Sequence, residues 1–460
     1  MTTAPNLRVD RLGLRNFRCF AECTIALHPQ LTVLVAENGR GKTAVLDAIG
    51  IALGMFVDTI AGTRQLHGFD RTDVRLVQGE NGAMGPALPT EFVADGYVAG
   101  QAMHWSRALK GYSRRARTTT REAESLRQAA QQLRESVEGY AADGANNPPI
   151  LPLIAFYGTG RLWSEHRLTE GKRTSVVAAN ERLSGYTDCL SSSSSFKGVV
   201  AWYENKMNET RDPRFSTVLS TNLRLLGAVK EATRVVLEPT GWCELEWDFE
   251  QKSLVVGHPE YGRLPLSALS DGVRNMIALI ADIAQRCASL NPHLSDAAAR
   301  RTPGVLLIDE VDMHLHPRWQ QQVVDLLRKA FPALQMIVST HSPHVLSTVD
   351  KESIRVIRLQ DGRGFIETPT LQTRGVESAD VLANIMGVDP IPHVEEAQWL
   401  SNYRALIQQH LFGTTEAKAL RTRLEEHFGN EHPVIFECDR MIRLERFKQT
   451  LPSPPNQKSG

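Results

Sequence analysis

The chain has 460 residues, 42% of them hydrophobic and 23% charged, with 52 Lys and Arg against 52 Asp and Glu. At about 150 residues per domain there is room for two or three domains and a large core, and the composition excludes both wholesale disorder and a small stapled module. A formal net charge of zero excludes a chain that is basic throughout, so nucleic-acid binding would have to rest on a local patch.

Taken in chain order, the N-terminus carries Arg8, Asp10 and Arg11 where a signal peptide would be apolar. No window reaches the 18 or so apolar residues of a membrane span, so the expected location is cytoplasmic, with no membrane partner. Leu7 to Phe17 and Ala21 to Leu27 alternate as strands do, and Leu31 to Ala36 is continuously apolar, as in a buried strand. Cys19, Cys23, Cys189, Cys243, Cys287 and Cys438 read as reduced thiols, because no second ligand pair completes a zinc site with Cys19 and Cys23. Glu37 to Thr43 is rich in glycine, and Val45, Leu46, Ile49 and Leu53 after it fall at helical spacing. The order is strand, glycine loop, helix.

From 57 to 150 apolar runs are few, with a loop from Gly79 to Pro89 and a polar helical stretch from about Thr118 to Tyr140, as in an insertion of mixed helix and loop. Leu151 to Tyr157 is a core strand, Ser191 to Ser195 a loop, Trp202 to Glu238 helical, and Cys243–Phe249 with Ser253–Val256 a hairpin. Leu269 to Arg274 leads into an apolar helix, Met276 to Ala288, followed by strands at Gly304–Glu310 and Met336–His341. Two short strands, Ile354–Leu359 and Gly364–Glu367, precede a helical tail from Ser378 to about Lys448. The expected divisions are 1–56, 57–150, 151–263, 264–360, 361–451 and a disordered 452–460. The fold class is α/β: a nucleotide-binding head with a mostly helical insertion and a helical C-terminal region.

Ala36-Glu-Asn-Gly-Arg-Gly-Lys-Thr43 fits the phosphate-loop pattern with Ala36 at the first glycine. Asn38, Gly39, Arg40, Gly41, Lys42, Thr43 and Ala44 are then the nucleotide-binding segment. Gly39 and Gly41 let N–H groups point inward, Lys42 supplies a charge to the β- and γ-phosphates, and Thr43 offers a hydroxyl to Mg2+. A plain glycine turn is the alternative; the buried strand before the loop and the helix after it favour nucleotide. Gly304-Val-Leu-Leu-Ile-Asp-Glu310 ends a strand in two acids, with Asp309 placed for the metal and Glu310 for the attacking water. Ser270 to Gly272 opens a helix and is an anion site by its N–H groups, although Ser270 would also serve as a simple cap. His314 and His316, two residues apart, share no helix face, which argues against a metal site. Arg107, Lys110, Arg114, Arg115, Arg117 and Arg121, interleaved with Trp105 and Tyr112, could contact nucleic acid or form a solvated face.

Leu269-Ser-Asp-Gly272, then Asp309-Glu310, Asp312 and Ser339-Thr-His-Ser-Pro343, stand in the order of the ATP-binding-cassette (ABC) ATPases of the RecF and SMC branch, which this chain resembles. The resemblance implies heads that dimerise, or form a higher even oligomer, around two ATP molecules. Ser270, Asp271 and Gly272 of one subunit would then reach the γ-phosphate held by Lys42 of the other. It makes Glu310, His341 and Lys42 the catalytic set, His341 the switch histidine, and Asp312 the D-loop aspartate. The Q-loop glutamine of that family is not assigned, Gln78 being a candidate by position only. Ile154 to Trp163, Arg182 to Leu190 and Ser378 to Gly387 are similar to the ATPase subunit of Septu antiphage systems and its retron-linked relatives. That similarity implies a separate HNH nuclease subunit controlled by nucleotide state, with DNA or retron RNA/DNA as a further partner. The alternative is a RecF-like repair ATPase acting as a DNA clamp or loader.

Overall fold

The computed structural model describes residues 6–62, 68–113, 116–143, 148–161, 181–191 and 196–450. Arg114, Arg115, Ser192 to Ser195, Leu162, Trp163 and the tail expected to be disordered lie outside the described residues.

The N-terminal strands β1 (Leu7–Phe17), β2 (Phe20–Ala26) and β3 (Leu31–Val35) lead into α1 (Lys42–Ala61). A small hairpin, β4 (Leu76–Gln78) and β5 (Met84–Pro86), comes next, then a longer one, β6 (Thr90–Val98) and β7 (Gln101–Leu109), and α2 (Glu124–Asp143). After β8 (Leu153–Tyr157) come α3 (Phe196–Arg211) and α4 (Leu219–Leu237), and then β9 (Leu245–Asp248), β10 (Ser253–His258) and β11 (Gly262–Pro265). The chain continues through α5 (Asp271–Leu290), α6 (Ala298–Arg301), β12 (Gly304–Ile308), α7 (Pro317–Gln320), α8 (Val323–Ala330), β13 (Leu334–Ser339) and α9 (Pro343–Leu346). It ends in β14 (Ile354–Gln360), β15 (Arg363–Glu367), α10 (Ser378–Asn384), α11 (Glu395–Gln408), α12 (Thr415–Phe428) and α13 (Pro433–Thr450).

One sheet of ten strands, in the order β7-β6-β1-β2-β15-β14-β3-β13-β12-β8, organises the first unit, Met1–Met386. From β14 to β8 neighbouring strands are parallel, and β3, β8, β12 and β13 are buried at every residue. Parallel strands covered on both faces read as unbroken apolar runs, which is why these were legible in the sequence. The β1, β6 and β7 side is antiparallel and alternates, with every second residue of β6 buried. Strands β9, β10 and β11 form a separate three-stranded sheet, one strand more than the expected hairpin.

Three expectations are revised. Residues 57–150 are not simply helix and loop: β6 and β7 extend the main sheet through a turn at Ala99-Gly100, where both residues have positive φ. The helical stretch Trp202–Glu238 is two helices, because Pro213 cannot continue α3 and Asp212 caps the short turn after it, accepting the Arg214 N–H at 2.9 Å. Contrary to the sequence reading, α1 is, among the described residues, long and apolar enough to cross a membrane, but 78% of its apolar window is buried inside the fold. Its length packs the face of the sheet.

The second unit, Gly387–Gly460, packs α11, α12 and α13 around Tyr403, Ile407, Ala417, Leu424, Ile435 and Cys438. Arg421 on α12 ties to Glu425 and, at 2.7 Å, to Asp439 on α13.

Beside the register shift of β1 between Val9 and Arg11, the Gln335 amide on β13 takes up backbone groups of Val9. Its Oε1 accepts the Val9 N–H at 2.9 Å, and its Nε2 donates to the carbonyls of Val9 (2.7 Å) and His28 (3.1 Å). Gln335→Met keeps the volume and orphans these buried backbone groups, so it is expected to destabilise the protein by about 3 kcal/mol, read as a lower midpoint of urea unfolding.

Candidate functional site

The loop after β3 is shaped by its glycines. Gly39 and Gly41 have φ of 73° and 99°, and Gly41 caps α1 in the left-handed conformation. A Cβ on Gly41 would lie 2.4 Å from the Phe20 ring and 2.8 Å from Cys19 Sγ, so the turn between β1 and β2 packs directly beneath the loop. Arg18 holds that turn to α1 through Asp47, and also pairs with Asp73 at 2.9 Å. Asn38, Gly39 and Arg40 are exposed at the crest, where Arg40 pairs with Glu37, while Ala44 is buried at the start of the helix. The Lys42 ammonium donates to the carbonyls of Ala36 (2.8 Å) and Glu37 (3.3 Å). Burial pushes its pKa down, opposed by Asp309, Glu310 and Asp312.

The acids meet the loop because β13 lies beside β3 and β12 beside β13, all three parallel. Asp309 is 2% exposed, and its carboxylate accepts the Thr43 hydroxyl at 2.7 Å on one oxygen and the Ser339 hydroxyl on the other. Its own N–H donates to the Tyr157 carbonyl at 2.8 Å. Glu310 adopts a left-handed φ of 49°, a conformation that costs a residue with a Cβ about 1–3 kcal/mol. It is held there by its N–H donating to Ser339 Oγ at 2.8 Å and by the next N–H, of Val311, donating to the Ser339 carbonyl at 2.9 Å. One step on, Thr340 donates to Asp312 at 2.5 Å, and the Ser342 hydroxyl donates to Gln320 at 2.7 Å. Burial, then the Lys42 charge, push the His341 pKa below the ordinary histidine value, so the imidazole is neutral at neutral pH. The Thr43 hydroxyl and the Asp309 carboxylate are hard oxygen donors at adjacent positions, and they fit a magnesium ion.

Ser270, Asp271 and Gly272 form the start of α5, with Asp271 paired to Arg274. Gly272 is required by close approach: a Cβ there would lie 2.6 Å from the His314 carbonyl oxygen. Among the described residues, none of the hydrogen bonds joining the loop, the acids and Ser339 reaches these three. His316 caps α7, its Nδ1 accepting the Arg318 N–H at 3.3 Å, and among the described residues no group of three or more His, Cys, Asp or Glu could hold a metal ion. Burial pushes the Cys23 thiol up to about 12, leaving it protonated. The basic run loses two members to the core: Trp105 is fully buried with its indole N–H on Ala52 O at 3.1 Å, and Arg107, 2% exposed, donates to the Thr119 carbonyl at 3.3 Å. Lys110, Arg117 and Arg121 are exposed.

The sequence reading includes Ser339 and Thr340 in a motif but gives their hydroxyls no part in holding the acids. Their signal was present, as two hydroxyl residues ending an otherwise apolar strand. Arg18 and Tyr157 had no comparable signal, because what each does depends on partners distant in sequence.

Comparison with known proteins gives two matching domain families. One, described as "AAA domain", matches residues 11–212, and the other, described as "AAA domain, putative AbiEii toxin, Type IV TA system", matches residues 223–347. The chain is 26% identical to the retron Ec83 probable ATPase of Escherichia coli over 94% of its own length and 86% of that protein's. It is 38% identical to the retron Vc95 probable ATPase of Vibrio cholerae serotype O1 biovar El Tor, over 35% of this chain and 31% of that one. It is also 31% identical to the Septu protein PtuA of Bacillus mycoides, over 28% of this chain and 18% of that one.

Ser339→Ala removes a hydroxyl that bonds both the Asp309 carboxylate and the Glu310 backbone. Steady-state phosphate release from ATP is expected to show kcat lowered about 10- to 100-fold, with thermal unfolding reporting that the fold persists.

Proposed function

We propose that this chain, an ABC-type ATPase of the RecF/SMC branch that resembles the retron and Septu ATPases, is the nucleotide-switched subunit of an antiphage defence complex. The observation that carries the reading is the convergence of Lys42 and Thr43, Asp309 and Glu310, and Ser339 and His341, three distant segments, on one strand-end cluster. Lys42 and the N–H groups of the loop take the β- and γ-phosphates of ATP, and the start of α1 adds its favourable dipole. Thr43 and Asp309 hold magnesium, which neutralises charge on the phosphate oxygens when bound. Glu310 orients the attacking water and accepts its proton, while neutral His341 donates an N–H to the γ-phosphate.

Two heads come together with Ser270, Asp271 and Gly272 of one facing the nucleotide of the other, and opening after hydrolysis changes the surface offered to a separate HNH nuclease subunit. What supports the defence setting is the extended similarity to a retron ATPase and the shorter one to a Septu protein. The burial of Trp105 and Arg107 weakens the case for a DNA clamp that would use the basic run.

Lys42→Ala is expected to weaken ATP binding about 10- to 100-fold in a fluorescent-nucleotide titration, and unchanged affinity would refute the site. Glu310→Gln should keep its affinity while kcat falls about 100-fold or more; near-normal phosphate release would place the base elsewhere. Purification of the tagged chain from its host, with and without ATP, tests the partner: a stoichiometric HNH protein is expected, and recovery of the ATPase alone would count against the nuclease assignment.

A further inference from the structure

Tyr157 lies outside the nucleotide motifs, yet it bonds to the strand end that carries Asp309. Tyr157 ends β8 beside Ile308 of β12 in parallel register, and its carbonyl accepts the Asp309 N–H at 2.8 Å. The side chain is buried, and its hydroxyl donates to Asp282 Oδ2 at 2.5 Å. Burial, and then Asp282, push this phenol well above the usual tyrosine pKa, so it remains a hydrogen-bond donor at every working pH. Asp282 lies about three turns into α5 and also accepts Arg286 Nε at 2.9 Å. The Arg286 guanidinium continues to the carbonyls of Gly185 (3.0 Å) and Thr187 (2.8 Å).

One residue therefore grips both halves of the site. Its backbone holds Asp309 and its hydroxyl holds α5, the helix whose first turn is Asp271 and Gly272. The first turn of α5 is pinned as well, with Gly272 tight against the His314 carbonyl in the segment that follows Glu310. A helix fixed to the catalytic strand at its start and at its middle cannot slide without pulling on the strand end. By contrast, Lys42 and the loop glycines make none of these bonds, among the described residues.

We infer that Tyr157 is a positioning residue for ATP hydrolysis: the Tyr157–Asp282–Arg286 network sets α5 against the strand end carrying Asp309 and Glu310. The inference rests on the ATPase reading above. It separates two properties, since the network places the acids for turnover and touches the phosphate-binding loop only at second hand, through the Asp309–Thr43 bond, leaving Lys42 and the loop glycines unbonded to it among the described residues.

The test is steady-state ATP hydrolysis and fluorescent-nucleotide binding by the full chain carrying Tyr157→Phe, Asp282→Asn or both. Tyr157→Phe keeps the ring and deletes only the hydroxyl. The expected result is nucleotide affinity within about twofold of the unmodified chain and kcat lower by about tenfold or more, because small displacements of reacting groups are costly. The double variant is expected to be no slower than the worse single variant, since both break one network. If Tyr157→Phe does not fold, as judged by thermal unfolding, Asp282→Asn alone carries the same expectation. Unchanged kcat in the folded variants, or loss of affinity in step with loss of kcat, overturns the inference. Absence of phosphate release by the unmodified chain would instead defeat the ATPase reading itself.

Discussion

A buried carboxylate needs partners, and the partners of Asp309 decide how this protein is put together. At 2% exposure the charge would be prohibitively costly without hydrogen bonds, and it takes them from Thr43, 266 residues earlier in the chain, and from Ser339, 30 residues later. Its backbone N–H is taken by Tyr157. For these groups to meet, β3, β13, β12 and β8 must lie side by side with their C-terminal ends together, and the parallel order of that half of the sheet provides this. The loop, the acids and the hydroxyls are thus one construction seen from three strands. Open parallel sheets tend to bind ligands at such strand ends, where loops are free to vary over a rigid floor.

The same constraint explains which parts were legible beforehand. Strands buried on both faces are mostly apolar, so Leu31–Val35, Leu153–Tyr157, Gly304–Ile308 and Leu334–Ser339 stand out as apolar runs broken only by Thr32 and Gln335, each ending in a polar or glycine-bearing segment. The glycines at 39 and 41 and the acid pair at 309 and 310 sit at those ends. Thr90 to Leu109 was harder to read, because its strands are solvated on one face and their inward positions include the small residues Ala94 and Gly96. Alternation that weak does not stand out from a loop. The break between α3 and α4 was available in Pro213, which cannot continue a helix.

Side-chain partnerships are a different matter. Periodicity reports which face of an element is buried and says nothing about which polar atom meets which across the fold. Gln335 illustrates this: within β13 it interrupts an apolar strand and reads as a misplaced polar residue, yet its amide bonds both backbone groups of Val9 in β1, 326 residues away. Trp105 and Arg107 err in the other direction. Interleaved with exposed basic residues they read as part of a surface patch, and their positions in β7 turn both into the core. Composition within a window cannot distinguish a basic face from a basic strand whose arginine is used internally.

The electrostatics of the strand ends carry the argument one step further. Asp309, Glu310 and Asp312 lie near a single buried ammonium, Lys42, whose charge is already disfavoured by burial, and near a histidine held neutral by burial and by that lysine. Three carboxylates thus surround one ammonium, and side-chain charge alone offers a polyphosphate little attraction. Attraction must come from groups with no formal charge or from outside the chain: the inward N–H groups of the glycine loop, the positive end of α1, and a divalent cation held by oxygen donors. On the proposed reading, a site built this way would bind nucleotide through backbone geometry more than through side-chain charge. The fit of Gly41 against Phe20 and Cys19, which fixes that geometry, then becomes as consequential as the lysine beside it.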